Sequence, residues 1–184
     1  MKVLIPMAGE GSRFAKEGYT FPKPLIDVQG KPMIQKVVEN LDFDCEYVFL
    51  VPNSDQYIEY EPENFHMLKN LTNVDSAVFT FNAVHPKWSF VKTNSRGFVT
   101  EVAEKKPISN IATCGIYWYR KGSDFVKYAK EMIEKDIRVN NEFYIAPVYN
   151  ELINDGKTLI PFYVHQMWGI GTPEDLKYFL ENKK

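Results

Sequence analysis

MKVLIPMAGEGSRFAKEGYTFPKPL, running from Met1 to Leu25, is the stretch from which the fold is read. Val3-Leu4-Ile5 is a short apolar run with the make-up of a buried strand. It breaks at once into Met7-Ala8-Gly9-Glu10-Gly11-Ser12-Arg13. Glycines directly after a strand let the backbone turn tightly and gather several N–H groups at one point, an arrangement that holds phosphate oxygens. Ala8, Gly9, Gly11 and Ser12 are the candidate backbone donors. Arg13 can fork onto two oxygens, and Lys23 adds a compact point charge. Pro22 and Pro24 keep the Lys23 backbone extended and its side chain presented. The plainer alternative is an ordinary strand-to-helix turn with surface Arg and Lys. A dinucleotide-binding loop needs a third glycine where this chain has Phe14, and an ATPase phosphate loop needs a Gly-Lys-Ser/Thr that is absent.

Downstream, Ile26 to Lys31 reads as a short extended piece ending in a turn, and Pro32 suits the first turn of a helix. Met33, Ile34, Val37, Val38 and Leu41 fall at helical spacing and predict one buried face. Glu46 to Val51 reads as a second buried strand. It runs directly into Pro52-Asn53-Ser54-Asp55-Gln56, and a carboxylate just past a buried strand is where open α/β sheets place ligand groups. A helix is expected over Pro62 to Leu71 and a strand over Val78 to Phe81. A hairpin is expected around Asn94-Ser95-Arg96-Gly97. Thr113 to Tyr119 is β-rich. Ser123 is a candidate cap for a helix buried through Phe125, Val126, Ala129, Met132 and Ile133. Further expectations are a helix over Glu142 to Asn154, ended by Gly156, and a strand over Ile160 to Val164. Thr172, Pro173 and Asp175 read as cap, first position and reciprocal acid of a last helix.

The 184 residues predict a single domain over 1–184, with 45% hydrophobic and 25% charged residues, as in a soluble globular chain. A net charge of -2 offers nothing to nucleic acid or to an anionic membrane, and no apolar run is long enough to span a bilayer. Cys45 and Cys114 form no motif together, and free thiols predict a cytoplasmic protein. His66, His85 and His165 lack metal-ligand spacing; Trp88, Trp118 and Trp168 read as core and rim.

Gly-x-Gly-x-Arg followed by Pro-Lys-Pro-Leu resembles the signature of the sugar nucleotidyltransferases, and the order of elements resembles that family over nearly the full chain. The resemblance implies a Rossmann-like α/β fold with a mixed, mostly parallel sheet covered by helices. It implies that Asn53-Ser54-Asp55-Gln56 is the acidic motif and Asp55 a Mg²⁺ ligand. Glu104, Lys105 and Pro107 resemble the Glu-Lys-Pro motif at the sugar-phosphate side. Gly115 resembles the glycine that lies against the sugar, and Glu142 stands in the segment that meets sugar hydroxyls. Trp168-Gly169-Ile170-Gly171-Thr172-Pro173 resembles the Trp-x-Asp-x-Gly-Thr-Pro ending.

The implied reaction joins a nucleoside triphosphate to a sugar-1-phosphate or similar phosphomonoester and releases pyrophosphate. Arg13 would hold the triphosphate, Lys23 would bridge the reacting phosphates and Asp55 would hold the metal. Glu104 with Lys105 reads equally as a surface ion pair, and Glu142 as a helix first-turn acid.

Two departures stand out. The family's second metal carboxylate is replaced by Gly169. The long segment that usually precedes the acidic motif is missing between Val51 and Asn53, which leaves the base pocket incomplete and favours exposed apolar surface and association of copies. A binding module without efficient catalysis is therefore a second reading. A glycosyltransferase is a third, without the usual Asp-x-Asp motif.

Overall fold

A computed structural model describes residues 2, 3, 5, 11–40 and 49–183. Ala8, Gly9, Leu41, Cys45 and the start of the strand expected from Glu46 lie outside the described residues. The first half runs β1 (Lys2–Val3), α1 (Ser12–Lys16), a 3-10 turn at Lys23–Leu25, β2 (Asp27–Val28), β3 (Lys31–Pro32), α2 (Met33–Asn40), β4 (Phe49–Pro52), β5 (Gln56–Glu59) and α3 (Pro62–Asn70). The second half runs β6 (Ser76–Asn82), β7 (Phe90–Thr93), β8 (Val99–Ala103), β9 (Ile111–Tyr119), α4 (Gly122–Glu134), α5 (Val148–Asn154), β10 (Leu159–Tyr163), β11 (Gln166–Gly169) and α6 (Pro173–Asn182).

Among the described residues, the main sheet has the order β1-β4-β9-β6-β10, with the β7–β8 hairpin attached along β9. β1 pairs parallel with β4, and β10 parallel with β6. β9 is antiparallel to both β4 and β6, so four strands of that path point one way and β9 alone runs against them. The sheet is thus mixed and mostly parallel in strand direction.

β9, sequence IATCGIYWY, is buried almost throughout. Its alternation sends Cys114, Ile116 and Trp118 to one core and Tyr117 and Tyr119 to the other. The first core is closed by Phe14 of α1, Met33 and Val37 of α2, Phe65 and Leu68 of α3, and Leu176 and Phe179 of α6. The second is closed by Tyr128 and Met132 of α4, by Val148, Tyr149 and Leu152 of α5, and by Val91, Val99 and Val102 of the hairpin. Tyr149 stacks on Tyr119 and donates its hydroxyl to the Ala77 carbonyl at 2.8 Å, which satisfies a polar tip deep in the core.

Several local expectations are corrected. Pro32 pairs with Asp27 in a two-stranded ladder and α2 begins after it, at Met33. Val38 faces solvent. α4 begins at Gly122 with Lys121 before it, so Ser123 is not its cap. That helix buries Tyr128 and Met132 and leaves Val126 and Ile133 half exposed. A tyrosine whose hydroxyl reaches Asp155 can be buried, so the inward face is rotated from the purely aliphatic reading. Only Val148–Asn154 of the span expected from Glu142 is helical, because Asn140 and Asn141 adopt left-handed conformations and an isolated bridge joins Val139 to Glu142. β5 was not expected; it forms because β11 pairs with it. Thr172 does cap α6, accepting from the Asp175 N–H at 3.1 Å, but the Asp175 carboxylate turns to Lys87 at 2.9 Å.

Candidate active site

β4 delivers the chain into Asn53-Ser54-Asp55, and two backbone bonds pin that loop. The Asn53 N–H donates to the Gly115 carbonyl at 2.7 Å, and the Ile170 N–H donates to the Asp55 carbonyl at 2.9 Å. The acidic residue is therefore held between β9 and the end of β11. Its carboxylate forms an ion pair with the Lys23 ammonium, both side chains about four-fifths buried. Lys23 is not extended as its flanking prolines predict: it opens a 3-10 turn over Lys23–Leu25, with Pro24 at the second position, and that turn presents its side chain.

Two glycines permit this meeting. Gly11 is left-handed, φ 65°, and a Cβ on it would stand 3.1 Å from the Lys23 Cβ. A Cβ on Gly171 would stand 2.5 Å from Asp55 Oδ2. The start of the chain, the acidic loop and the Gly-Thr-Pro ending thus converge on one ion pair. Ser12 and Arg13 open α1 and are exposed. Ala8 and Gly9 are outside the described residues.

The other expected residues group at the far end of β9. The Glu104 carboxylate accepts from the Ser89 hydroxyl, and the Ser89 carbonyl accepts from the Thr113 N–H at 2.8 Å, two residues before Gly115. Burial lifts the Glu104 carboxyl above its ordinary value of 4.5, and the bond from Ser89 and the charge of Lys105 only partly offset this. Lys105 donates to the Tyr144 hydroxyl, which in turn donates to Glu142 at 2.5 Å. The Tyr144 hydroxyl is held above its ordinary value chiefly by that bond to Glu142. Lys105, Asn140 and Asn141 all have φ between 50° and 64°, a costly conformation for residues with side chains.

Lys105 and Glu142 are therefore joined, through a residue the sequence reading did not single out. Gln56 and Gly171 likewise stand inside the acidic and Gly-Thr-Pro motifs with no role that the sequence assigns to them. For Gly171 the signal lay in the Gly-Thr-Pro spacing; for Gln56 it was adjacency to Asp55.

Gly115 serves a local purpose. Its φ is 67°, and a Cβ there would meet Asn53 Nδ2 at 2.3 Å and Gln56 Oε1 at 2.4 Å. The space above it is taken by two side-chain amides. Gly169 pairs with Gln56 across β5 and β11; a Cβ there would stand 3.5 Å from the Asp175 carboxylate and the Trp88 ring. Among the described residues no group of three or more His, Cys, Asp or Glu could hold a metal. Asp55 alone still suits Mg²⁺, which uses one or two carboxylates and takes its other ligands from substrate phosphates and water.

Residues 3–79 match the family pattern described as the MobA-like NTP transferase domain. A 66-residue stretch is 33% identical to a bifunctional protein GlmU of Methanococcus maripaludis; it covers 35% of this chain and only 16% of that relative. The fold matches a nucleoside-diphosphate-sugar pyrophosphorylase from Vibrio cholerae RC9 with a TM-score of 0.80, at 22% identity, over 98% of this chain and 100% of that one. It also matches a UDP-glucose pyrophosphorylase complexed with UDP-glucose, with a TM-score of 0.75 at 17% identity over 97% and 95% of the two chains. Among the described residues no helix is long and apolar enough to cross a membrane. The chain thus matches the MobA-like NTP transferase pattern over residues 3–79 and shares, over nearly its whole length, the fold of these pyrophosphorylases.

Proposed function

We propose that the chain transfers a nucleoside monophosphate from a nucleoside triphosphate to a sugar-1-phosphate or similar phosphomonoester. A phosphate oxygen of the acceptor attacks the α-phosphorus in line, the bond to the bridging oxygen breaks, and pyrophosphate leaves. No general base is needed, because the attacking oxygen is already anionic. Such a transfer demands positioning and charge neutralisation more than covalent help.

The observation that carries this reading is the Lys23–Asp55 pair, clamped between Gly11 and Gly171. Each partner neutralises the other at rest. With substrates present, Lys23 turns to the phosphates under attack, which frees the Asp55 carboxylate, the group that would hold a Mg²⁺ ion. Arg13, exposed on α1 two residues after Gly11, steadies the outer phosphates. Mg²⁺ held by Asp55 would supply neutralising charge for the departing pyrophosphate. Glu104, Lys105, Tyr144 and Glu142 form the acceptor side.

The test is pyrophosphate release on mixing the protein, Mg²⁺, each nucleoside triphosphate and a panel of sugar-1-phosphates. Release that depends on one triphosphate and one acceptor supports the transferase. Binding of both ligands without release supports the second reading, a binding module. Gly169 at the position of a carboxylate, and β4 leading straight into the acidic loop, are the observations on that side.

A further inference from the structure

Glu151 of α5 is 4% exposed, and among the described residues no other charged side chain is as deeply buried. Its carboxylate accepts from the ammonium of Lys135, the residue that ends α4 and whose side chain is 55% exposed. Packing alone does not call for a charge there. Val148, Tyr149 and Leu152 of the same helix are buried in the second core. Replacing a buried ion pair with apolar side chains of similar volume often leaves a protein as stable or more so. What the pair adds is a bond of set length and direction, where apolar contacts between helices permit a small shear.

The pair stands at the two ends of residues 136–147. Val139 and Glu142 exchange backbone bonds of 3.0 Å around Asn140 and Asn141, both left-handed, which makes a tight turn. Asp136, at the exit from α4, is left-handed too. Three of the five non-glycine residues with such a backbone among the described residues thus lie in this connection. Such conformations persist only where the surroundings over-determine them. A fourth, Lys105, reaches the connection through the Tyr144 hydroxyl, which donates to Glu142. α5 is meanwhile tied to the β7–β8 hairpin. Asn150 accepts from the Val102 N–H at 2.9 Å and donates to the Val102 carbonyl at 2.8 Å, two residues before Glu104. We infer that Glu151 is a positioning residue: with Lys135 it fixes the ends of this connection and so sets where the Glu142 carboxylate and the Tyr144 hydroxyl stand beside Lys105. The inference rests on the acceptor side of the proposed transferase and deepens it by naming what holds that side in place.

The test compares the parent, Glu151→Gln, and the double variant Glu151→Leu with Lys135→Met. Amide exchange of Val139 and Glu142 is followed by NMR, and melting temperature is recorded without ligand. Titration calorimetry, well below melting, measures hexose-1-phosphates and Mg²⁺-nucleoside triphosphates separately. The double variant is expected to melt near the parent, because both charges leave together and neither is stranded. Its Val139 and Glu142 amides should exchange about tenfold faster, and its hexose-1-phosphate affinity should fall about tenfold, with triphosphate affinity unchanged. Glutamine keeps an acceptor for Lys135 at the same reach, so E151Q should retain most of the protection and the affinity. Parent-like exchange and hexose-1-phosphate affinity in the double variant would overturn the inference. So would a weakening shared equally by the triphosphate, or a double variant that does not fold, since either makes the pair a general stabiliser. A parent that binds no hexose-1-phosphate, while exchange still answers to Glu151, refutes the transferase reading and leaves the positioning intact.

Discussion

Replacing Gly171 with alanine adds one methyl group at the point where three parts of the chain meet. The backbone there is not in the left-handed region, so the alanine is not strained and the effect is purely one of space. The new Cβ would stand 2.5 Å from Asp55 Oδ2 and 3.1 Å from its Cγ. That is about 1 Å short of van der Waals contact, so the carboxylate must swing away. The obstructing atom ends a short rotatable side chain, and the stability loss should be about 1 kcal/mol, the low end for overpacking. Function should suffer more. A displacement of about 1 Å at a reacting group costs about a hundredfold in rate, or about 2.7 kcal/mol of barrier. Thermal unfolding, Mg²⁺-nucleotide titration and pyrophosphate release on G171A would be read together. A variant that melts near the parent but loses both metal-dependent nucleotide affinity and turnover supports the clamp. Unchanged nucleotide affinity and kcat/KM would refute the idea that Gly171 positions Asp55.

Asp55→Asn keeps size but removes the charge opposite Lys23; circular dichroism should show a folded protein about 1 kcal/mol less stable, and calorimetry should show metal-dependent nucleotide binding lost. Glu104→Gln tests the lifted carboxyl. A raised folded-state pKa means the folded protein holds the proton longer than the unfolded chain, so stability falls as pH rises from 4.5 through the raised value. The glutamine variant should lack that fall in a pH series of melting temperatures and be the more stable protein at neutral pH; an unchanged profile would assign the slope elsewhere. Thr172→Ala removes the cap of α6, should cost about 1 kcal/mol, and should lower the melting temperature by about 2–4 °C in a calorimetric scan.

The sequence made the convergence on Lys23 readable because each part is short-range chemistry. A glycine after a strand, a lysine between prolines, a carboxylate after an apolar run and a Thr-Pro helix start all declare themselves within a few residues. β5 did not, because its partner β11 lies over a hundred residues away and its own four residues alternate only weakly. The Tyr144 bridge between Lys105 and Glu142 was hidden for the same reason, since it depends on backbone turns at Asn140 and Asn141 that periodicity does not register. For Gly115 the resemblance implies ligand contact, whereas the structure shows a local cause for glycine, two side-chain amides that leave no space for a Cβ.

The solitary reversed strand bears on how the chain is made. Among the described residues, β1–β4 and β6–β10 meet only through β9. A nascent chain that has emerged as far as β6 therefore holds separate sheet pieces with bare edges, and such edges invite pairing with neighbouring chains. The stretch that matches the family pattern, residues 3–79, ends before the seam that would join them. Expressed alone, it should aggregate rather than fold, because β6 gains its two neighbours only from β9 and from β10, which ends at Tyr163.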